Sequence, residues 1–109
     1  MGATLVFTLT LAACGGQKQG TPPSAPPASP AVQKIYDGSC RTCHSNPASG
    51  APQAGDVKAW SARVAQGREV VLGHVINGYN KMPPMGLCMQ CSEDDFAAVT
   101  AYMAGAPLK

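Results

Sequence analysis

The apolar positions of this chain fall into three regimes. Residues 1–13 hold an uncharged apolar run built on Leu5, Val6, Phe7, Leu9 and Leu11. Between Gly15 and Pro30 large apolar side chains stop, and five prolines interrupt a background of Gly, Gln, Ser and Ala. Beyond residue 30 apolar residues return at helical spacing. Val32, Ile35 and Tyr36 share one helical face, which predicts a first helix over residues 31–43. Residues 45–56 lack any such period and are dense in Pro, Gly, Ser and Ala, so they read as a loop. Val64, Val70, Val71, Leu72, Val75 and Ile76 give apolar faces to short helices near residues 61–65 and 68–76, kept brief by Gly67, Gly73 and Gly78. Asn77-Gly78-Tyr79-Asn80 is a turn signal. Ser92 then opens a last helix as its N-cap, with Glu93, Asp94 and Asp95 at the positive end of the dipole and Phe96, Val99, Ala101 and Met103 on the packing face. That helix is expected to close against the first one.

These regimes divide the chain into residues 1–13 as a signal segment, 14–30 as a flexible linker and 31–109 as one folded domain. The apolar run is too short to span a bilayer as a helix. Its ending, Leu11-Ala12-Ala13-Cys14, resembles a bacterial lipobox, in which the Cys14 thiol takes a diacylglycerol and becomes the first residue of the mature protein. No Lys or Arg precedes the run, and an ordinary cleaved signal peptide is the alternative. Extended as polyproline, the linker reaches roughly 50 Å at ~3.1 Å per residue, enough for a tethered head to swing above a membrane.

A domain this small buries too little apolar surface to be comfortable alone, and a metal, a disulfide or a large cofactor is the usual staple. The net charge of +2 comes with only 6% aromatic residues and does not suggest nucleic-acid binding. The candidate staple is Cys40-Arg41-Thr42-Cys43-His44, a CxxCH stretch. Two thiols at this spacing can each add to a vinyl group of one haem, and the adjoining His44 presents its imidazole to the iron, so the motif reads as covalent haem c attachment. A thioredoxin-like dithiol and half of a zinc site are the other readings of CxxC. A metal-bound His is oriented by giving its second N–H to an acceptor, and the loop containing Pro52 is the expected source. Trp60 is the only tryptophan, either a core aromatic or an indole N–H aimed at a haem propionate.

A second ligand is expected from Lys81-Met82-Pro83-Pro84. Pro83 disfavours helix at Met82, which leaves the thioether on a stiff extended segment, and thioether sulfur suits haem iron opposite His. Met85 competes, but the following Gly86 is expected to loosen it, so Met82 is preferred. His74, alone inside a helix, is expected to pack and not to bind iron. Cys88 and Cys91 form a second CxxC with no His after it. In an exported protein the thiol count closes with Cys14 to lipid, Cys40 and Cys43 to haem, and Cys88 with Cys91 as a disulfide; a redox-active thiol pair is the sharper alternative.

Together, CRTCH, the Gly50-Ala51-Pro52 loop, Gly55-Asp56, Trp60, Met82-Pro83-Pro84 and Cys88-Met89-Gln90-Cys91-Ser92 resemble the monohaem class I cytochromes c, and more closely the bacterial cytochrome c5 group. The resemblance implies an all-α fold, the small class I cytochrome c fold of about four short helices around one covalent haem. It implies His44 and Met82 as axial ligands, Cys40 and Cys43 as thioether anchors, Pro52 accepting from His44, and a Cys88–Cys91 disulfide. Met85 stands where that group often carries a basic residue.

An iron held by protein on both faces has no vacancy for substrate, which favours electron transfer over enzymatic chemistry. The expected protein is an electron carrier on the periplasmic side of a bacterial membrane, lipid-anchored or else soluble there. Its expected partners are redox proteins such as membrane oxidoreductases or terminal oxidases and reductases, met in brief, salt-sensitive encounters. A haem-based gas sensor or weak peroxidase with a labile Met82 is the alternative.

Overall fold

The computed structural model describes residues 28–109, together with Gly2. The signal segment, Cys14 and the linker as far as residue 27 lie outside the described residues.

The first rod is assembled from three segments. Helix α1 (Pro30–Ile35) starts where Ser29 caps the Val32 N–H at 3.2 Å and Pro30 sits in the first turn, where its missing N–H costs nothing. A π turn (Tyr36–Cys40) follows, and helix α2 (Arg41–His44) completes the rod. The uninterrupted α-helix expected over residues 31–43 is therefore broken by one wide turn. There the Arg41 N–H reaches back five residues to the Tyr36 carbonyl, so one residue is inserted and Cys40 to His44 are re-aimed relative to the Val32, Ile35 and Tyr36 face. Gly38 lies in this turn, and a Cβ built on it meets nothing within 4 Å. Its part is to loosen the helix locally, not to admit a neighbouring backbone.

Helix α3 (Val57–Val64) begins earlier than the 61–65 segment expected, because Asp56 caps the Ala59 N–H at 3.0 Å. Helix α4 (Arg68–Asn77) matches its apolar stretch and is framed by Gly67 and Gly78. A 3₁₀ turn (Pro84–Leu87) leads to helix α5 (Glu93–Ala104), whose start is a reciprocal capping box: Ser92 Oγ accepts from the Asp95 N–H, and the Asp95 carboxylate accepts from the Ser92 N–H at 2.8 Å. The four rods are helical throughout, and among the described residues the only β pairing is one bridge between Tyr79 and Met82.

Packing divides the interior into two clusters. Tyr36, Trp60, Val99, Met103 and Ala104 form one, and Leu72, Val75, Cys88, Phe96 and Ala97 form the other. Helix α5 supplies both, and Ile35 of α1 packs against both, so the first and last helices meet as the sequence predicts.

Candidate haem site

On one side of the site, His44 ends α2 and is buried, 6% exposed. Its Nδ1–H donates to the Pro52 carbonyl at 2.7 Å, and its own carbonyl accepts from Ala54 N–H at 2.8 Å. Nδ1 is thereby spent, which leaves Nε2 as the nitrogen free of hydrogen bonds to the described residues. Burial pushes the imidazole below its ordinary pKa; the Pro52 carbonyl opposes this and the Arg63 charge adds to it. The neutral ring that results is the form that ligates a metal.

Trp60 stacks on the His44 ring, centroids 5.6 Å apart and planes at 28°. Its indole N–H donates to the Gln53 carbonyl at 2.9 Å. The indole N–H is thereby satisfied within the loop, and the side chain is a buried wall behind His44.

Gln53 is the residue that sequence reasoning missed. Its side-chain amide donates to the carbonyls of Ala51, Asn46 and Cys43 at 2.9, 3.1 and 3.3 Å. Ser49 Oγ adds a bond to the same Cys43 carbonyl at 2.7 Å. These bonds fold the loop back onto the end of α2 and bring the Pro52 carbonyl to His44. A long amide side chain beside Pro52 in a Gly- and Pro-rich loop was the available signal.

On the other side, Met82 sits on an extended segment. Tyr79 and Met82 exchange backbone hydrogen bonds of 3.1 and 2.9 Å across a two-residue turn, which Asn80 enters at φ 52°. Met82 packs, with Met85, against the Leu72, Val75 and Cys88 cluster. The chain then does something the sequence did not announce. Met85, Gly86 and Leu87 all take positive φ, 62°, 53° and 64°, a short left-handed turn that costs about 1–2 kcal/mol for each residue with a Cβ. Gly86 does not loosen Met85 as expected. The turn is held by Gly86 N–H on the Pro83 carbonyl and by Cys88 N–H on the Met85 carbonyl, 3.0 and 2.9 Å. Cys88 and Cys91 are disulfide-bonded, Cα atoms 5.4 Å apart, with Cys88 buried in the cluster. His74 stacks on Tyr79 with centroids 4.0 Å apart, a packing role.

The residues fit a covalent haem. Cys40 and Cys43 are free thiols while the other pair is oxidised, so the two CxxC motifs do not gather into one metal site. Among the described residues no group of three or more His, Cys, Asp or Glu could hold a bare ion. His44 belongs with one cluster through Trp60, and Met82 with the other. His44 and Met82 thus belong with different clusters, and both free thiols lie on the rod that carries His44.

The family described as cytochrome c oxidase, cbb3-type, subunit III matches residues 27–103. Cytochrome c5 of Ectopseudomonas mendocina is 38% identical over 68 residues, 61% of this chain and 78% of the relative. Cytochrome c-555 of Chlorobaculum tepidum is 38% identical over 79 residues, 69% and 73% of the two chains. Among solved structures, a chain from an electron-transfer complex of nitrite reductase with cytochrome c aligns at TM-score 0.62 and 36% identity, covering 71% of this chain and 94% of its own. The mono-haem ferrocytochrome c of Shewanella putrefaciens aligns at TM-score 0.62 and 35% identity, covering 69% and 93%. The chain belongs to the monohaem cytochromes c, electron carriers that hold a single covalent haem c.

Proposed function

We propose that this cytochrome is exported and carries single electrons between redox proteins through an iron ligated by His44 and Met82, with Cys40 and Cys43 as the thioether anchors. The observation that supports this reading is that His44 and Met82 belong with separate core clusters and each is held by its own hydrogen bonds. The haem, when bound, supplies one-electron chemistry at its iron. The chain supplies the rest. Pro52 fixes which nitrogen of His44 is available; Trp60 holds the ring from behind; the Tyr79–Met82 bridge and the disulfide-closed loop fix the thioether. With both donors held, little rearranges when the electron comes or goes, and small molecules are kept from the metal.

Redox-protein partners are supported by the neighbour solved with nitrite reductase. None of the described helices is long and apolar enough to cross a membrane, so attachment to one would rest on acylation of Cys14 at the periplasmic face. Expression with the haem-attachment and lipoprotein pathways present tests both parts. The haem protein should partition into the membrane fraction, and Cys14→Ser should leave it undiminished in haem but outside that fraction. Equal membrane partition of the two would contradict the anchor; a Cys40→Ala, Cys43→Ala protein that still held haem through denaturation would contradict the attachment.

A further inference from the structure

Helix α4 has a glycine at each end, in nearly the same backbone conformation. Gly67 caps its start at φ 95°, ψ 159°, and Gly78 caps its end at φ 85°, ψ 157°. This region of backbone space is almost closed to residues with a Cβ, so both positions favour glycine on conformation alone. Their surroundings differ. A Cβ on Gly67 would meet only the Lys109 carbonyl oxygen, at 3.9 Å. A Cβ on Gly78 would lie 3.0 Å from the Met82 carbonyl oxygen, 3.1 Å from the Pro84 nitrogen and 3.2 Å from the Pro84 ring. Two of those three atoms are backbone and cannot swing aside. The third belongs to a closed ring. A Cβ on Gly86 would lie 3.4 Å from the methyl carbon of the same Met82.

The geometry points to Gly78 and Gly86 as positioning residues for the Met82 thioether: the end of α4 sets the Met82–Pro84 backbone through Gly78, and Gly86 leaves the room in which the terminal methyl sits. This rests on Met82 being the axial ligand. Gly78 is the dominant member, because its neighbours are rigid, whereas the Met82 methyl can give by a few tenths of an ångström. The Tyr79–Met82 bridge alone cannot do this, since it fixes the separation of two strands of one turn and not the turn's position on the helix.

The matched glycines supply the control. Gly78→Ala and Gly67→Ala carry the same kind of backbone penalty, so a loss of stability shared by both says nothing about the ligand. In the full-length haem protein, Gly78→Ala should lose most of the methionine-to-iron charge-transfer band of the ferric form and bind cyanide about tenfold faster, while Gly67→Ala keeps the band and a rate within about twofold. Gly86→Ala, whose left-handed conformation alanine can adopt, should fold, shift the band and speed cyanide binding by about threefold. It decides the matter if Gly78→Ala does not fold. A Gly78→Ala protein that matches Gly67→Ala in band and rate overturns the proposal, as does an unshifted Gly86→Ala. Met82→Ala separates the two levels: a band that survives it overturns the ligand reading and the proposal together, whereas a band lost there but kept in Gly78→Ala overturns the proposal alone.

Discussion

The Nδ1 of His44 lies 2.7 Å from the carbonyl oxygen of Pro52, a bond that ties the end of the first helical rod to the loop wrapping back over it. It sets the ring's orientation and reserves Nε2, so the geometry of the nitrogen donor depends on how firmly that loop is folded. The loop's fastening is Gln53. Gln53→Ala removes the donor shared by three carbonyls and should lower unfolding free energy by about 1–3 kcal/mol. Covalent haem should be retained. Denaturant titration against wild type checks this, and equal midpoints would show that the loop holds without its amide.

The Cys88–Cys91 disulfide closes a short loop directly after the left-handed turn at Met85 to Leu87. So small a ring constrains the unfolded chain by about 2 kcal/mol on the chain-entropy estimate. Cys88→Ala with Cys91→Ala should therefore destabilise modestly by denaturant titration, yet raise the rate of cyanide binding to the ferric protein more than a change of that size elsewhere would. A variant that is less stable but unaltered in cyanide rate would assign the disulfide to global stability only.

Asp95 is held below the usual carboxylate range, first by the Ser92 backbone N–H and then by the Ser92 hydroxyl. A carboxyl depressed by folding contributes stability that is complete above its unfolded pKa and disappears as pH falls through the folded one. The melting temperature of wild type should accordingly exceed that of Asp95→Asn near neutral pH, with the gap closing as the pH drops below about 4. Ser92→Ala should cost about 1 kcal/mol at pH 7 through the lost cap. Parallel melting curves for wild type and Asp95→Asn down to pH 2 would contradict the linkage.

Among the basic residues around the site, Arg41 pairs with Asp37 at 3.6 Å and Arg63 donates to the Ala59 carbonyl at 2.6 Å. Lys81 is exposed, and among the described residues it makes no ion pair. It also lies beside Met82. Lys81→Glu should slow reduction of ferricyanide, an anion, by about two- to threefold at low ionic strength, and the difference should vanish at high salt. An unchanged rate at low salt would place the electron-exchange surface elsewhere.

What could be read from the sequence was local. The capping box at Ser92 and Asp95, the CxxCH spacing and the Pro83-constrained Met82 each depend on residues within a few positions of one another, and each is legible from side-chain chemistry alone. The π turn at Tyr36 to Cys40 was not, because a period of apolar residues four apart does not show one inserted residue. The Trp60 N–H went to Gln53, not outward, because the loop folds back through bonds spanning up to ten residues. The left-handed turn at Met85 to Leu87 breaks the conformational preference of two of its three residues, so only the surrounding packing and hydrogen bonds select it.

The most direct test of the central claim is the visible spectrum of the full-length haem protein, oxidised and reduced, for wild type, Met82→Ala and Met85→Ala. A low-spin c-type reduced spectrum is expected, with a ferric methionine-to-iron band that survives Met85→Ala and is lost in Met82→Ala. A band lost in Met85→Ala instead, or absent from wild type, would contradict His44 and Met82 as the axial pair.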